Sequence, residues 1–516
     1  MSRLNKKYFS FYFLTVCFFA LIIVFSGTSS FGQSKKTLNV AIFEEPNSLN
    51  FMEQAGLPAT WLDWNIYDQL VRYDYKNNKL VPELALSWEQ ESPTSWLITL
   101  RPGVQFHRGY GEMTAEDVAF GVNYIRENKQ RVSFLYSAAQ LAKVEVVDTY
   151  KVRYKLNRPF TPFVLTALQG FGGLVLSKKA FEELGPKEFA RNPVGTGPFE
   201  FLEWVSGDHI TLKKHENYWD SGFPLLDIVK WRFVPDPTVR MNLLTVGEVD
   251  FVDNVPYKDI DNLKSKSNVK VQTIPGWNWV YISFGDVVGP FSKTKVRQAI
   301  SYAIDRKGIV DSVFFGHAIP AEKPLPPGFL YEDSNITKYS ADADLDTAKK
   351  LLAEAGYPNG FSSKIITGSK EELRRTVLVV SNQLKKVGIN LKPQFMDQAA
   401  YGKIFRIPDD FVDLEDITIM SPDPDTAIHW FWRTGSVLTR TYSNPEIDNM
   451  ILDAAGFVDA EKRRVAYSKL QQVLLDEAWF SYLAHAELVR AMGSNISGYE
   501  ITPSDMDIYF KRTNVE

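Results

Sequence analysis

Residues 192–220 read NPVGTGPFEFLEWVSGDHITLKKHENYWD, and this stretch decides the fold of the 516-residue chain. Gly195 and Gly197 predict a turn with backbone at positive φ, and Pro198 fixes φ where the chain enters a strand. From Phe199 onward apolar and polar residues alternate, and a tight connection at residues 206–208 leads into a return strand. The stretch therefore predicts a turn followed by a β-hairpin, without the pattern of a nucleophile or of a metal-ligand set.

The same stretch resembles a signature of the extracytoplasmic solute-binding proteins of ABC transporters, the dipeptide/oligopeptide-binding family (family 5). That family shows a VGTGPF turn and, about twenty residues later, an N-x-YW element, which here are Val194–Phe199 and Asn217–Trp219. Other blocks that resemble the family follow in its order over nearly the whole mature chain: Leu80–Trp88, Trp96–Gly109, Met113–Ile125, Lys295–Val310, Asp346–Phe361, Gln383–Leu391 and Tyr442–Ile451. The resemblance implies a periplasmic substrate-binding subunit of an ABC importer.

The N-terminus has the layout of a secretory signal peptide. Three basic residues precede an apolar run over residues 8–25, and small residues continue to Gly32, where we predict cleavage. The run is about as long as a minimal transmembrane helix, so an uncleaved anchor is the alternative. The single cysteine, Cys17, lies inside the run and not at its end, which favours a periplasmic protein that is not lipidated. The mature chain would then have no disulfide.

Length, charge and aromatic content limit the function classes. A chain of 516 residues is too long for one core, so two or three domains are expected. The formal net charge is −4 and becomes more negative once the basic N-terminus is removed, which disfavours nucleic acid and anionic membranes as partners. The 12 tryptophans suit a large ligand cleft, although most tryptophans in any protein fill cores.

Periodicity predicts an α/β fold with strands mixed among helices in both halves. The predicted strands are Thr37–Phe43, Trp96–Leu100, the hairpin 144–147 with 152–156, and a strand-rich region from Phe199 to Val234. The predicted helices are Trp61–Val71, Thr114–Arg126 with a near capping box from Thr114 to Asp117, one capped by Ser292, Leu345–Ala355, Glu371–Val387, and Glu461–Ala478 with Val465 inward.

By resemblance, the architecture is a bilobed periplasmic-binding-protein-like clamshell with an additional inserted domain. The predicted organisation is a signal peptide at 1–32, a discontinuous lobe I at 33–50, 190–275 and 486–516, an inserted domain at 51–189, and lobe II at 276–485. Hinges are predicted near Pro275-Gly276 and near His485, because lobes joined by crossing strands rotate about a few residues.

The aromatic segment after the first hinge is the first candidate ligand site. The strand that starts there should line the cleft, and the resemblance implies that Trp277, Asn278 and Trp279 contact the ligand. Packing in the core is the alternative for each of them.

The segment MSPDPDTAIHWFW, residues 420–432, is the second candidate site, with Asp423, Trp430 and Trp432 as ligand-binding residues. In peptide-binding members, an Asp three residues before the Asp-Pro pairs with the ligand's α-ammonium, and Met420 stands at that position here. A buried charge needs a partner, so this loss argues against tight capture of a free peptide N-terminus. Asp423 or Asp416 could replace the acid, and a non-peptide solute such as an oligosaccharide, opine or metal chelate is the alternative ligand.

Loop residues after the first strand form a third candidate. Ligands in open α/β lobes bind beyond the carboxyl ends of strands, so Glu44, and also Glu45, could face the cleft, with a solvated acidic loop as the alternative. Arg297 and Arg306 resemble family positions, and we interpret them as structural residues on helices whose polar faces point outward.

No enzymatic or cofactor pattern stands out. The six histidines are scattered, and the chain has no HExxH, GxSxG, P-loop or GxGxxG motif. We expect no catalytic or metal site, no cofactor, a monomer, a peptide or small-molecule ligand, and membrane permease subunits as partners. Two rival classes remain: a binding protein that serves chemosensing, and a secreted hydrolase.

Overall fold

The computed structural model describes residues 35–53, 56–130, 132–284, 289–397, 400–401, 411–435 and 443–516. The predicted signal peptide, the alternative anchor and Cys17 lie outside these residues.

The described strands follow in chain order: β1 (Thr37–Ile42), β2 (Val71–Asp74), β3 (Lys79–Pro82), β4 (Ala85–Ser92), β5 (Ser95–Leu100), β6 (Leu141–Asp148), β7 (Lys151–Leu156), β8 (Phe199–Val205), β9 (His209–Lys214), β10 (Ile228–Phe233), β11 (Phe251–Val252), β12 (Val269–Pro275), β13 (Asn278–Phe284), β14 (Ala318–Pro320), β15 (Phe361–Thr367), β16 (Ile389–Phe395), β17 (Phe411–Thr418), β18 (Phe480–Gly493), β19 (Ile496–Ser497) and β20 (Asn514–Val515).

The longer helices are α1 (Leu57–Ile66), α2 (Ala115–Glu127), α3 (Ser133–Ala138), α4 (Lys178–Phe189), α5 (Pro237–Val246), α6 (Ile260–Lys264), α7 (Thr294–Ala303), α8 (Arg306–Val313), α9 (Leu345–Glu354), α10 (Glu371–Lys385), α11 (Pro424–Trp432), α12 (Pro445–Gly456) and α13 (Ala460–Glu477).

One 12-stranded mixed sheet organises the molecule, in the order β16-β15-β17-β13-β18-β11-β1-β10-β9-β8, with β12 and β14 also paired to β18. The long strand β18 belongs to both halves of this sheet. Its residues 480–484 pair with β13, and its residues 487–493 pair with β12. The predicted α/β class is therefore confirmed. The chain changes halves near the predicted hinges, while the predicted domain boundaries stay a prediction.

A separate four-stranded antiparallel sheet, in the order β4-β5-β7-β6, lies within the residues predicted as the inserted domain. Helix α2 packs against it and begins with the predicted capping box: Thr114 accepts a hydrogen bond from Glu116, and Asp117 accepts one from the Thr114 amide. The predicted hairpin of β6 and β7 is confirmed.

The VGTGPF turn needs its glycines for a different reason than the one predicted. Neither Gly195 nor Gly197 has positive φ. A Cβ at Gly195 would lie 2.2 Å from the Ile66 carbonyl oxygen, and one at Gly197 would lie 2.6 Å from it. The turn packs directly on the end of α1, and the Gly197 amide donates to Ile66 O at 2.9 Å. The hairpin turn that follows does use positive φ, at Gly207.

The N-x-YW element joins the hairpin to the residues predicted as the inserted domain through one buried acid. The Tyr218 hydroxyl donates to Asp68 Oδ1 at 2.9 Å, and Trp219 Nε1 donates to Asp68 Oδ2 at 2.8 Å. Burial raises the pKa of Asp68 to about 7, although these two hydrogen bonds favour its ionised form.

Several predictions about helices were wrong in detail. Helix α1 begins at Leu57 and ends at Ile66, earlier than predicted, and Lys293 occupies the N-cap of α7 in place of Ser292. Val465 is 52% exposed and not inward. Helix α10 and helix α9 end close to the predicted stops, before the positive-φ residues Gly388 and Gly356.

Arg297 and Arg306 are buried, each only 1% exposed, and not on outward faces as predicted. Arg297 donates to the backbone oxygens of Phe291 and Glu477, and Arg306 to those of Ala321 and Tyr482. Buried guanidinium groups that donate to several carbonyls hold separate segments together, so both residues are structural in these contacts.

Candidate functional site

The crossing point between the two sheet halves is held by one amide side chain. Asn278 Nδ2 donates to Ala486 O at 2.9 Å, and the Ala486 amide donates to Asn278 Oδ1 at 2.7 Å. The Gly276 amide donates to the same carbonyl at 3.2 Å. Asn278 thus uses its polar atoms to join β13 to β18, and its predicted ligand contact stays a prediction.

The two tryptophans beside Asn278 pack against different sets of aromatic rings. Trp277 is 5% exposed and packs against Tyr75 and Phe329, with ring centroids 5.5 and 5.2 Å apart. Trp279 is fully buried against Phe431 and Tyr482, at 4.6 and 5.3 Å. Its indole N–H has no acceptor among the described residues.

The 420–432 segment folds into helix α11, and Asp423 begins it. Asp423 accepts a hydrogen bond from the Asp425 amide at 3.0 Å and forms a bidentate ion pair with Arg463 at 2.7 and 2.8 Å. Both side chains are buried. The Asp423 charge is therefore balanced inside the protein by Arg463, and its predicted ligand-binding role stays a prediction.

The two tryptophans of α11 also pack in the interior. Trp430 meets Phe134 edge-on with a centroid distance of 4.5 Å, which joins α11 to the residues predicted as the inserted domain. Trp432 Nε1 donates to the Tyr482 hydroxyl at 3.2 Å. The ligand-binding roles of both tryptophans stay predictions.

A cavity of about 760 Å³ lies between residues of predicted lobe I and predicted lobe II, and we call it the interlobe cleft. Its volume is in the range of small-molecule sites. The charged residues that line it are Glu44, Arg240, Lys258, Lys370, Glu371, Glu372, Arg375, Glu415 and Asp416. Among the predicted site residues, Glu44 lines the interlobe cleft. Glu45 turns away and accepts hydrogen bonds from Trp204 and the Gly207 amide, at 2.8 and 2.9 Å.

The end of β17 places two adjacent carboxylates at the cleft. Asp416 pairs with Lys370 at 2.8 Å, and Glu415 accepts a hydrogen bond from the Tyr281 hydroxyl at 3.1 Å. Burial raises the pKa of Glu415 to about 7, and the neighbouring Asp416 charge adds to this, while hydrogen bonds from Tyr401 and Tyr281 oppose it.

Sequence reasoning missed Lys370 and Glu415 and named Asp416 only as a possible substitute. The available signal was the strand FVDLEDIT, residues 411–418, where acids appear at the end of an apolar strand. A lysine 46 residues away in the sequence carries no such signal, because only the sheet brings it to Asp416.

No metal site is found within the parts of the chain that the structure describes, since no three His, Cys, Asp or Glu side chains are grouped to hold an ion. The buried pair His107 and His215, with centroids 4.7 Å apart, contacts backbone atoms of Gly195 and Gly197. Burial lowers the pKa of both imidazoles. Among the described residues, no helix is long and apolar enough to cross a membrane.

The fold and an interlobe cleft define a bilobed α/β solute-binding protein, and comparison with solved structures agrees. The chain is similar to the ABC transporter-associated periplasmic binding protein DppA of Helicobacter pylori in complex with the peptide STSA, with TM-score 0.83, 26% identity, and 93% of this chain and 99% of that chain covered. It is similar to AgaA of A. tumefacien R10 in complex with agropinic acid, with the same TM-score, identity and coverage.

The family model for bacterial extracellular solute-binding proteins, family 5, matches residues 79–438, so the chain belongs to this family. It is 30% identical over 457 residues to the glutathione-binding protein GsiB of Pectobacterium atrosepticum, with 86% of this chain and 87% of that protein covered. It is 28% identical over 473 residues to heme-binding protein A of Haemophilus influenzae, with 86% of each covered. The family consists of substrate-binding proteins that work with ABC permeases, and this confirms the predicted class.

Proposed function

We propose that this protein captures a short peptide or peptide-like zwitterion in the interlobe cleft and delivers it to its permease. The cleft carries the proposal because it combines acids and bases from both lobes within a volume that suits a few residues of peptide. Lys370 offers a donor to a ligand carboxylate, and Asp416 beside it offers an acceptor to a ligand ammonium.

Asp416 is the acid that we assign to the ligand's ammonium group. The position that carries this acid in peptide-binding members is Met420 here, and Asp423 is occupied by Arg463. Asp416 is half-buried and lines the cleft, so a ligand that enters can reach it. Relatives named for glutathione and solved with the peptide STSA support a peptide-like ligand.

A non-peptide solute is the second candidate, and Met420 is the observation that favours it. The similar protein AgaA was solved with agropinic acid, which shows that this fold accepts an opine. We further propose that the chain is exported by a signal peptide cleaved after Gly32, acts as a monomer, binds no nucleic acid and catalyses no reaction.

The test is a thermal-shift screen of residues 33–516 against di- to pentapeptides, glutathione, agropinic acid and oligosaccharides, followed by calorimetry. A ligand that binds only the folded state raises the melting temperature. We expect a peptide to bind, and Asp416→Asn to weaken it about tenfold or more because a charged hydrogen bond is lost.

The control is Asp342→Asn, which removes the acid of the exposed pair Lys307–Asp342, also 2.8 Å long, outside the cleft. It should leave affinity unchanged. Peptide binding that Asp416→Asn does not weaken would overturn the assignment of Asp416, and binding of agropinic acid or a sugar without any peptide would establish the second candidate.

A further inference from the structure

A second cavity, of about 910 Å³, lies apart from the interlobe cleft. It is bounded by the β2–β3 hairpin, the Trp219 element and the segment from Gly498 to Arg512, and it shares no lining residue with the cleft. Five basic and five acidic side chains line it, so neither sign of charge dominates. We call it the hairpin cavity.

Two guanidinium groups in the hairpin cavity are stacked on aromatic rings. Arg72 lies 4.0 Å above the Tyr509 ring, and Arg101 lies 4.3 Å from the Trp219 ring centroid. Both also donate through Nε to Glu83, Arg72 to its Oε1 and Arg101 to its backbone oxygen, each at 3.0 Å. Stacking and the Nε bonds fix both guanidinium planes, and a fixed guanidinium plane recognises a carboxylate best.

Buried polar atoms at the same place have no hydrogen-bond partner in the described structure. They are Arg72 Nη2, a donor, and two acceptors, Glu83 Oε2 and Asp507 Oδ1. Glu83 is only 3% exposed, and the nearest contact between Arg72 Nη1 and Asp507 Oδ1 is 3.9 Å, too long for a hydrogen bond. An unpaired buried polar group destabilises the protein, so a ligand that offers both an acceptor and a donor would relieve this cost.

Two other cations of the cavity already have partners. Lys511 is paired with Asp220 at 2.6 Å and lies over the Trp219 ring. Arg512 stacks over Phe223. An anion alone would leave Glu83 and Asp507 without donors, and a cation alone would leave Arg72 without an acceptor.

We propose that the hairpin cavity is a second ligand site that binds the head group of an α-amino acid, with its carboxylate on Arg72 and Arg101 and its ammonium on Glu83 and Asp507. The aromatic rings of Tyr509 and Trp219 flank the site and contact the side chain. The proposal does not depend on which ligand the interlobe cleft takes.

The test is ligand-observed NMR on residues 33–516 with three probes: L-alanine, propionate, which lacks the ammonium, and ethylamine, which lacks the carboxylate. L-Alanine should bind. Propionate and ethylamine should bind at least about tenfold more weakly, because each leaves one set of buried groups unpaired. Equal binding of propionate and L-alanine would overturn the zwitterion assignment, and absence of L-alanine binding would overturn the site.

Substitutions in the hairpin cavity test whether L-alanine binds there. Arg101→Ala and Asp507→Asn should each weaken L-alanine binding about tenfold while the melting temperature shows that the protein folds. Arg464→Ala is the matched control, since Arg464 pairs with exposed Glu461 outside the cavity. Asp416→Asn separates the two proposals: L-alanine binding that is lost in this variant lies in the interlobe cleft, which overturns the second site, and binding that is retained supports it.

Discussion

At the residue scale, Asp423, a predicted ligand-binding acid, makes two structural contacts. It caps α11 and pairs with Arg463 through both oxygens, and both side chains are at most 4% exposed. Burial alone would lower the pKa of Arg463, but the Asp423 charge raises it well above its usual range. Each partner of this buried pair therefore depends on the other.

Asp423→Asn should lower the free energy of unfolding by about 3–5 kcal/mol, because it leaves the Arg463 charge buried and uncompensated. Urea unfolding of the ligand-free protein measures this. Glu461→Gln, which breaks the exposed pair with Arg464, is the control and should leave the free energy of unfolding nearly unchanged. If Asp423→Asn is as stable as the parent but has lost ligand affinity, Asp423 binds the ligand and is not needed for stability.

We expect Glu415 to make stability and ligand affinity depend on pH in opposite directions. Its pKa rises from 4.5 to about 7 on folding, so the folded state holds its proton more tightly than the unfolded state. This contribution to stability is complete below about 4.5 and is lost as pH rises through 7. An ionised Glu415 next to Asp416 attracts a ligand ammonium, so affinity for a zwitterion should increase over the same interval.

Glu415→Gln should reduce both pH effects. Melting temperatures and calorimetric affinities between pH 4.5 and pH 8 give the comparison with the parent. The same pH profiles in parent and variant would show that other groups, such as buried Asp425 with its pKa raised to about 8 by burial, control the dependence.

At the element scale, helix α12 is completed by another part of the chain. The last carbonyls of a helix have no partner within it. Here Arg158 Nη2 donates to Leu452 O at 3.2 Å, and Thr161 donates through its amide to Ala455 O at 2.8 Å and through its hydroxyl to Phe457 O at 2.9 Å. The segment after β7, in the predicted inserted domain, thus caps a helix of predicted lobe II.

Thr161→Val should remove one of these caps and cost about 1 kcal/mol. Hydrogen exchange should become faster in α12 and not in α5. The reciprocal control is Thr245→Val in α5, whose hydroxyl donates only to Met241 O in its own helix. Exchange in α12 that is unchanged by Thr161→Val would show that the contact does not hold the two parts together.

Helix ends were predictable where the signal is local. The Thr114 capping box and the glycines after α9 and α10 belong to short sequence patterns, and the structure contains them. The end of helix α1 was predicted wrongly because it depends on a residue far along the chain. The amide of Gly197, 131 residues after Ile66, donates a hydrogen bond to the Ile66 carbonyl oxygen. A pattern confined to α1 cannot contain that information.

At the scale of the whole molecule, the chain passes between sheet halves where Gly276 and Ala486 lie in contact. A Cβ at Gly276 would lie 2.5 Å from Ala486 O and 2.3 Å from Asn278 Nδ2. These strands connect predicted lobe I to predicted lobe II, so we expect their spacing to affect the angle between the lobes.

Gly276→Ala should force the two strands apart and cost about 1–3 kcal/mol, as overpacking does. We expect a lower melting temperature and a changed radius of gyration by small-angle X-ray scattering, with and without ligand. Gly121→Ala in α2 is the control, because its Cβ would meet nothing within 4 Å and helix propensity favours alanine. A variant with the parent's radius and stability would show that the crossing tolerates a side chain.

The sequence by itself determined the family, the α/β class and most strand and helix positions, because ordered motifs, alternation and glycine stops act over a few neighbouring residues. Only the tertiary structure decided which charges are available to a ligand. Asp423 meets an arginine 40 residues away, Glu415 meets Tyr281 134 residues away, and Asn278 meets Ala486 208 residues away. Whether a buried polar group serves the fold or a ligand depends on such partners, and sheet register and helix packing bring them together across distances that local patterns do not span.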